Sequence, residues 1–247
     1  MPLSTKPIAI IAGAGPGTGA ALARRFAQRY PVVLLARTPS TLDPLVHEIN
    51  RSGGSALGIP ANVAHTDQLF SSLTQLRDHF GAEPRVAAAI FNVASKFTRN
   101  GFLENQPDFL DSLEATARGA SNFSRAVLPL LLKEVDDTEG YPPTLIFTGA
   151  TAALKGGSGL GSFAMSKFAV RALAQSLARE FGPKGVHVAH AIIDGIIATE
   201  KTKEYLNDRP DAKIDPKGIA EAYWFLHTQS RSAFTHEIDL RPYCETW

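Results

Sequence analysis

One cysteine, Cys244, in 247 residues leaves no possibility of a disulfide within the chain, so the fold needs no oxidising compartment. Charge of one sign is also lacking. Lys and Arg number 25 against 24 Asp and Glu, and a net charge of +1 gives neither a basic footprint for nucleic acid nor an acidic tail. Long hydrophobic runs are absent too. The first apolar stretch, Ile8 to Ala12, is too short for a signal-peptide core, and nothing elsewhere reaches the ~20 apolar residues of a membrane span. No repeat, low-complexity tract or long linker divides the chain. With 44% hydrophobic residues it can fill one sizeable core, and the expectation is a soluble, cytoplasmic protein of one domain spanning 1–247, without nucleic-acid or membrane partners.

Short apolar, β-rich runs recur at Pro7–Ile11, Val32–Leu35, Ala56–Ile59, Val86–Phe91, Thr144–Phe147 and Val186–Ile193. Their unbroken apolar character is that of strands covered on both faces, the mark of a parallel sheet. Helical spacing fills the gaps at Ala20–Tyr30, Thr41–Arg51, Asp67–Phe80, Pro107–Leu132, Phe163–Phe181 and Pro216–Thr228. Regular alternation of strand and helix predicts an α/β fold, a Rossmann-type doubly wound parallel sheet of about seven strands with helices on both faces.

The first run leads into Gly13-Ala14-Gly15-Pro16-Gly17-Thr18-Gly19 and then directly into a helix. Glycines there permit a tight turn, let backbone approach a pyrophosphate and aim a helix N-terminus at it. Position gives the motif its weight, because this loop follows the first strand and opens the first helix. The second strand ends at Ala36-Arg37-Thr38, with no carboxylate for a ribose 2′-hydroxyl and with a fixed cation, Arg37, suited to a 2′-phosphate. NADP(H) is the cofactor expected.

From Ile8 to about Leu240 the sequence resembles the short-chain dehydrogenase/reductase family. The family's glycine motif falls on Gly13, Gly17 and Gly19. Its pair after the third strand is Asn62-Val63, its motif after the fourth is Asn92-Val93-Ala94-Ser95, and its motif after the sixth is Asp194-Gly195-Ile196-Ile197-Ala198-Thr199. The resemblance implies an adenine site at Asn62 and Val63, cofactor contacts at Asn92 and Ala94, and a nicotinamide end held by Gly195, Ile197 and Thr199. It also implies that Lys167 binds the ribose, that 199–215 is a substrate-side lid, that 241–247 is a C-terminal tail, and that the long helices build a homodimer or homotetramer.

The catalytic positions depart from the family. The Tyr that precedes the Lys by four residues is Phe163, the Ser position falls at Ala150, with Thr151 one residue on, and the helix Asn position is Thr116. Asp194 replaces a proline at a strand's carboxyl end, where open α/β sheets place their ligand crevice, and a carboxyl expected there beside apolar Ile192, Ile193 and Ile196 could donate a proton, bind a substrate cation or cap its loop. Asp194, Lys167 and Thr151 are therefore the candidate catalytic residues. His187 and His190, three apart on a strand, point to opposite faces and share no metal, so no metal site is expected. Three functions remain open: an NADP(H)-dependent oxidoreductase of small carbonyls, imines or activated alkenes by a non-standard mechanism, an NADP(H)-binding cyclase or isomerase, and a silent cofactor-binding protein.

Overall fold

The computed structural model describes residues 6–95, 97, 99–104, 109–137 and 139–246. Seven strands form one sheet: β1 Ile8–Ala12, β2 Val32–Ala36, β3 Ala56–Pro60, β4 Val86–Phe91, β5 Thr144–Thr148, β6 His187–Ile193 and β7 Glu237–Leu240. Their order is β3-β2-β1-β4-β5-β6-β7 and every pairing is parallel, with Ala12 opposite both Leu35 and Phe91. The chain reverses direction across the sheet between β1 and β4, and that switch point opens a crevice at the strands' carboxyl ends.

Helices cover both faces. Leu69, Leu73 and Leu76 of α3 (Thr66–Phe80), Phe123 and Val127 of α5 (Gly119–Leu131) and Val170 of α6 (Gly161–Phe181) bury one face of the sheet. Leu22 and Phe26 of α1 (Thr18–Ala27), Leu42 and Leu45 of α2 (Pro39–Arg51) and Ile219 and Tyr223 of α7 (Pro216–His227) bury the other. β1 and β4 are buried along their whole length, which is why their sequences do not alternate.

The six expected strands and six expected helices are present, with shifts at their ends. Pro39, whose ring fixes a helical φ, starts α2 two residues before Thr41. The long helix expected over Pro107–Leu132 has its first residues outside the described set, and the rest is continuous but not uniform: α4 (Asp111–Leu113) passes through a π-helical turn, Glu114–Arg118, into α5. The run Glu237–Leu240 had no place among the expected strands because four half-exposed residues at a sheet edge carry little hydrophobic pattern. Among the described residues no helix is long and apolar enough to cross a membrane.

His187 and His190 do face opposite sides of β6. The His187 ring stacks on Phe234 at 4.2 Å, whereas His190 Nδ1 meets Glu237, which also holds Arg171 of α6 through two bonds of 2.8 Å. Behind α7, His227 is completely buried between the Tyr30 hydroxyl (2.9 Å) and Thr144 Oγ1 (3.0 Å). Burial disfavours its charged form and pushes its pKa down to about 3. Because the unfolded chain protonates this imidazole near pH 6.5 and the folded chain does not, stability is complete above that pH and falls as pH drops from 6.5 towards 3. Urea unfolding is expected to show a loss of about 2 kcal/mol from this group between pH 7 and pH 5. His227→Gln should flatten the dependence, and an equal slope in both proteins would place the acid sensitivity elsewhere.

Candidate active site

The crevice begins at the glycine turn. Gly13 has φ +86°, and a Cβ on it would sit 2.5 Å from the Asn92 carbonyl oxygen, so β1 turns against the end of β4 only without a side chain. Gly19 leaves no room for a Cβ against the Gly13 carbonyl, which brings α1 close to the strand. Gly17, at φ +95°, lies against the Thr199 methyl group. Gly15 differs from these three. A Cβ on it would meet nothing within 4 Å, so protein packing gives no reason for glycine there.

The start of α1 has no side-chain cap and no acidic residue in its first turn. The Ala20 N–H donates back to the Gly15 carbonyl at 2.9 Å, which leaves the Thr18 and Gly19 N–H groups to face the crevice with the positive end of the helix dipole. Thr18 is buried, and its Oγ1 has no partner among the described residues. An open glycine, an uncapped helix start and an orphaned hydroxyl fit a pyrophosphate. At the end of β2, Arg37 is exposed and makes no hydrogen bond or ion pair with another described residue. Thr38 beside it caps nothing and pairs with Thr41 Oγ1 at 2.9 Å.

The other cofactor-side candidates line the same edge. Asn62 Oδ1 accepts from the Ala64 N–H at 3.1 Å, Val63 is buried, and Asn122 Nδ2 donates to the Val63 and Ala64 carbonyls at 3.2 and 3.1 Å. Ala94 is exposed at the end of β4. Beyond β6, Ile197 bridges Ile214, and its carbonyl accepts from Thr202 Oγ1 at 2.5 Å. Thr199 and Thr202 form a reciprocal capping box. The segment 199–215 is tied further by Lys213, which donates to Asn207 Oδ1 at 2.8 Å.

A buried chain of hydrogen bonds fixes the centre. Tyr223 OH donates to Thr148 Oγ1 (2.8 Å), Thr148 Oγ1 donates to Asn92 Oδ1 (3.0 Å), and Asn92 Nδ2 donates to the Gly13 carbonyl (3.0 Å). Lys167 reaches the same place from α6, its Nζ donating to the Thr148 carbonyl at 3.0 Å. Its ammonium is enclosed by protein, and desolvation lowers its pKa to about 8. Tyr223 and Thr148 were not among the candidates from sequence, since a contact between α7 and β5 leaves no local signal.

The proton-donating positions are bare. Phe163 lies one turn before Lys167, its ring centre 5.8 Å from Nζ, and presents no acidic proton. Thr116 sits within the π-helical turn, fully buried, its Oγ1 without a partner among the described residues. Thr151 Oγ1 donates to Asp194 Oδ1, and Asp194 Oδ2 pairs with Arg241 at 3.2 Å. Asp194 therefore does not stand free among apolar side chains as the sequence suggested. Both its oxygens are engaged, and it joins the loop after β6 to the tail. The backbone completes that junction, because Gly195, at φ +148°, has Pro242 packed where its Cβ would point. The tail thus lies over its own chain, except for Trp247, which falls outside the described residues.

A parallel α/β sheet with a phosphate-shaped turn at its switch point defines a dinucleotide-binding protein. The family model for short chain dehydrogenases matches residues 7–210, and the chain belongs to that family of oxidoreductases. An uncharacterized oxidoreductase of Staphylococcus aureus strain N315 is 26% identical over 244 residues, covering 98% of this chain and all of the relative. The crystal structure of a short-chain dehydrogenase from Rhodopseudomonas palustris is 33% identical with a TM-score of 0.78, covering 96% of this chain and 99% of that one. A metagenomic short-chain oxidoreductase in complex with NADP has the same fold, with a TM-score of 0.78 at 21% identity, covering 98% of this chain and 99% of that one.

The mostly buried pair Asp194–Arg241 makes the junction testable. Arg241 also holds Asp239, its Nε donating to Asp239 Oδ1 at 3.0 Å, so Arg241→Gln leaves two carboxylates without their guanidinium and a measurable loss of stability is expected. Asp194→Asn in the same chain should recover part of it. A double-mutant cycle in urea unfolding measures the coupling, and additive losses would show the two side chains acting independently.

Proposed function

We propose that the protein is an NADP(H)-dependent oxidoreductase acting on a small organic carbonyl, imine or activated alkene without the family's usual proton donor. The observation that carries this reading is the open Gly15 beside the uncapped start of α1 and the orphaned Thr18 hydroxyl, a cradle that protein atoms do not fill. Gly13, Gly17 and Gly19 shape the cradle, Arg37 and Thr38 take the 2′-phosphate, and Asn62 and Val63 lie beside the adenine. Asn92, Ala94, Gly195, Ile197 and Thr199 border the nicotinamide side. When bound, NADP(H) supplies or accepts a hydride.

The chain's own groups do the rest. Lys167, held on the Thr148 carbonyl, sets the charge beside the ribose. The Tyr223–Thr148–Asn92 chain keeps that carbonyl and the glycine turn in register. Asp194 acts as a positioning residue, orienting Thr151 and holding the tail through Arg241. Phe163 and Ala150 in place of proton donors also favour a second reading, in which NADP(H) binds and a cyclisation, an isomerisation or no reaction follows.

Titration with NADPH and NADH separates these readings when followed by a substrate panel read at the nicotinamide absorbance. NADPH is expected to bind more tightly than NADH, and Arg37→Asp should reverse the order by removing a charged phosphate contact, a change of about 10²-fold in the ratio. Equal affinities in the wild type would overturn the assignment of NADP(H). Tight binding with no redox turnover of any panel member would favour the second reading.

Met165 and Phe168 stand exposed on α6, a helix that also buries Val170 and half-buries Leu173 and Leu177. We assign this face to a homodimer or homotetramer contact. Light scattering at micromolar concentration should give a multiple of the 26.5 kDa chain mass, and the monomer mass would refute the assignment.

A further inference from the structure

We propose that the substrate subsite beside Phe163 receives a flat organic cation that arrives already charged, an iminium, in preference to a neutral ketone or aldehyde. The inference deepens the oxidoreductase reading and rests on it.

The loop after β4 is laid over the start of α6 by two hydrogen bonds, Asn100 N–H to the Gly159 carbonyl (3.1 Å) and Arg99 Nε–H to the Ser158 carbonyl (3.0 Å). This sets the Phe97 ring edge-on to Phe163, with centroids 5.3 Å apart and planes at 82°. Phe97 is 61% exposed and Phe163 half-buried, so the pair stands at the surface, one turn of α6 from Lys167, rather than in the core. Aromatic rings attract a cation through their negative faces, and Phe97 leaves much of its ring open for one.

Apart from that of Thr116, which is fully buried, the hydroxyl protons at this site are committed to protein acceptors. Thr151 donates to Asp194, Ser162 to the Phe109 carbonyl, and Ser166 to the Phe163 carbonyl at 2.7 Å. Lys167 is enclosed and donates to Thr148. Hydride addition to a carbonyl carbon leaves the electron pair on oxygen, and without a positioned acid that oxyanion loses about 10²–10⁴-fold in rate. Addition to an iminium carbon breaks the C=N π bond and places its pair on nitrogen, cancelling the positive charge. The iminium is reduced to a tertiary amine, the reduced nicotinamide is oxidised, and no proton moves.

The test uses the full chain with N-methyl-3,4-dihydroisoquinolinium and the neutral ketone of similar shape, α-tetralone. Calorimetry in the presence of NADP⁺ reads binding without turnover, and NADPH consumption reads rate. The cation is expected to bind about tenfold more tightly than the ketone. It should also be reduced about 10²-fold faster. Phe97→Leu, at an exposed side chain that the fold does not need, should erase most of the binding preference. A ketone bound as tightly or reduced as fast overturns the inference and leaves the oxidoreductase reading intact. NADPH binding without affinity for the cation or turnover of it also overturns the inference. Failure to bind NADPH overturns the broader reading, a result the calorimetric control reports separately.

Discussion

The approach of three backbone segments at the switch point sets the rest of the structure. Gly13 turns against the carbonyl at the end of β4, and Gly19 lets α1 press onto Gly13 where no Cβ fits. With that turn in place, the Gly15 carbonyl takes the Ala20 N–H, and the Thr18 and Gly19 N–H groups are left to the crevice. Asn92 fastens the turn from β4, Thr148 fastens Asn92 from β5, and Tyr223 and Lys167 fasten Thr148 from opposite faces of the sheet. A small set of close contacts thus ties both helical layers to the glycine turn at the floor of the crevice.

Above that floor, Phe163 and Ala150 stand at positions where the side chain has no proton to give. Phe163 keeps the volume of an aromatic ring and gains Phe97 as a neighbour. Asp194 has been recruited into the Arg241 junction, where its charge is balanced and the tail is drawn over Gly195. The tail therefore borders the crevice of its own chain. Hydride chemistry tolerates this arrangement when the substrate accepts the electron pair at an atom that needs no proton.

The sheet and the glycine turn were legible in the sequence because backbone geometry restricts them directly. Continuous apolar strands, positive φ at Gly13 and Gly17, and the missing carboxylate after β2 each leave a residue-level trace. Contacts made only on folding leave none. The partner of Asp194 lies in the tail, the hydroxyl of Tyr223 meets a residue of another element, and the π-helical turn around Thr116 has no composition of its own. The environment inferred for Asp194 failed for that reason, since neighbouring isoleucines in sequence say nothing of an arginine brought in by tertiary structure. Gly15 gave the reverse lesson: sequence grouped it with the other glycines, and only the structure shows that its freedom serves no protein contact.

That distinction gives the most direct measurement of the central claim, which is that the glycine loop is a dinucleotide cradle. Gly15→Val adds a side chain where nothing lies within 4 Å and where φ is not positive. The melting temperature should therefore stay within about 2 °C of the wild type, the shift of roughly half a kcal/mol in a domain of this size. NADPH affinity measured calorimetrically on the same sample should fall at least about tenfold, because the side chain occupies the space of the pyrophosphate. Unchanged melting with unchanged NADPH affinity would contradict the account.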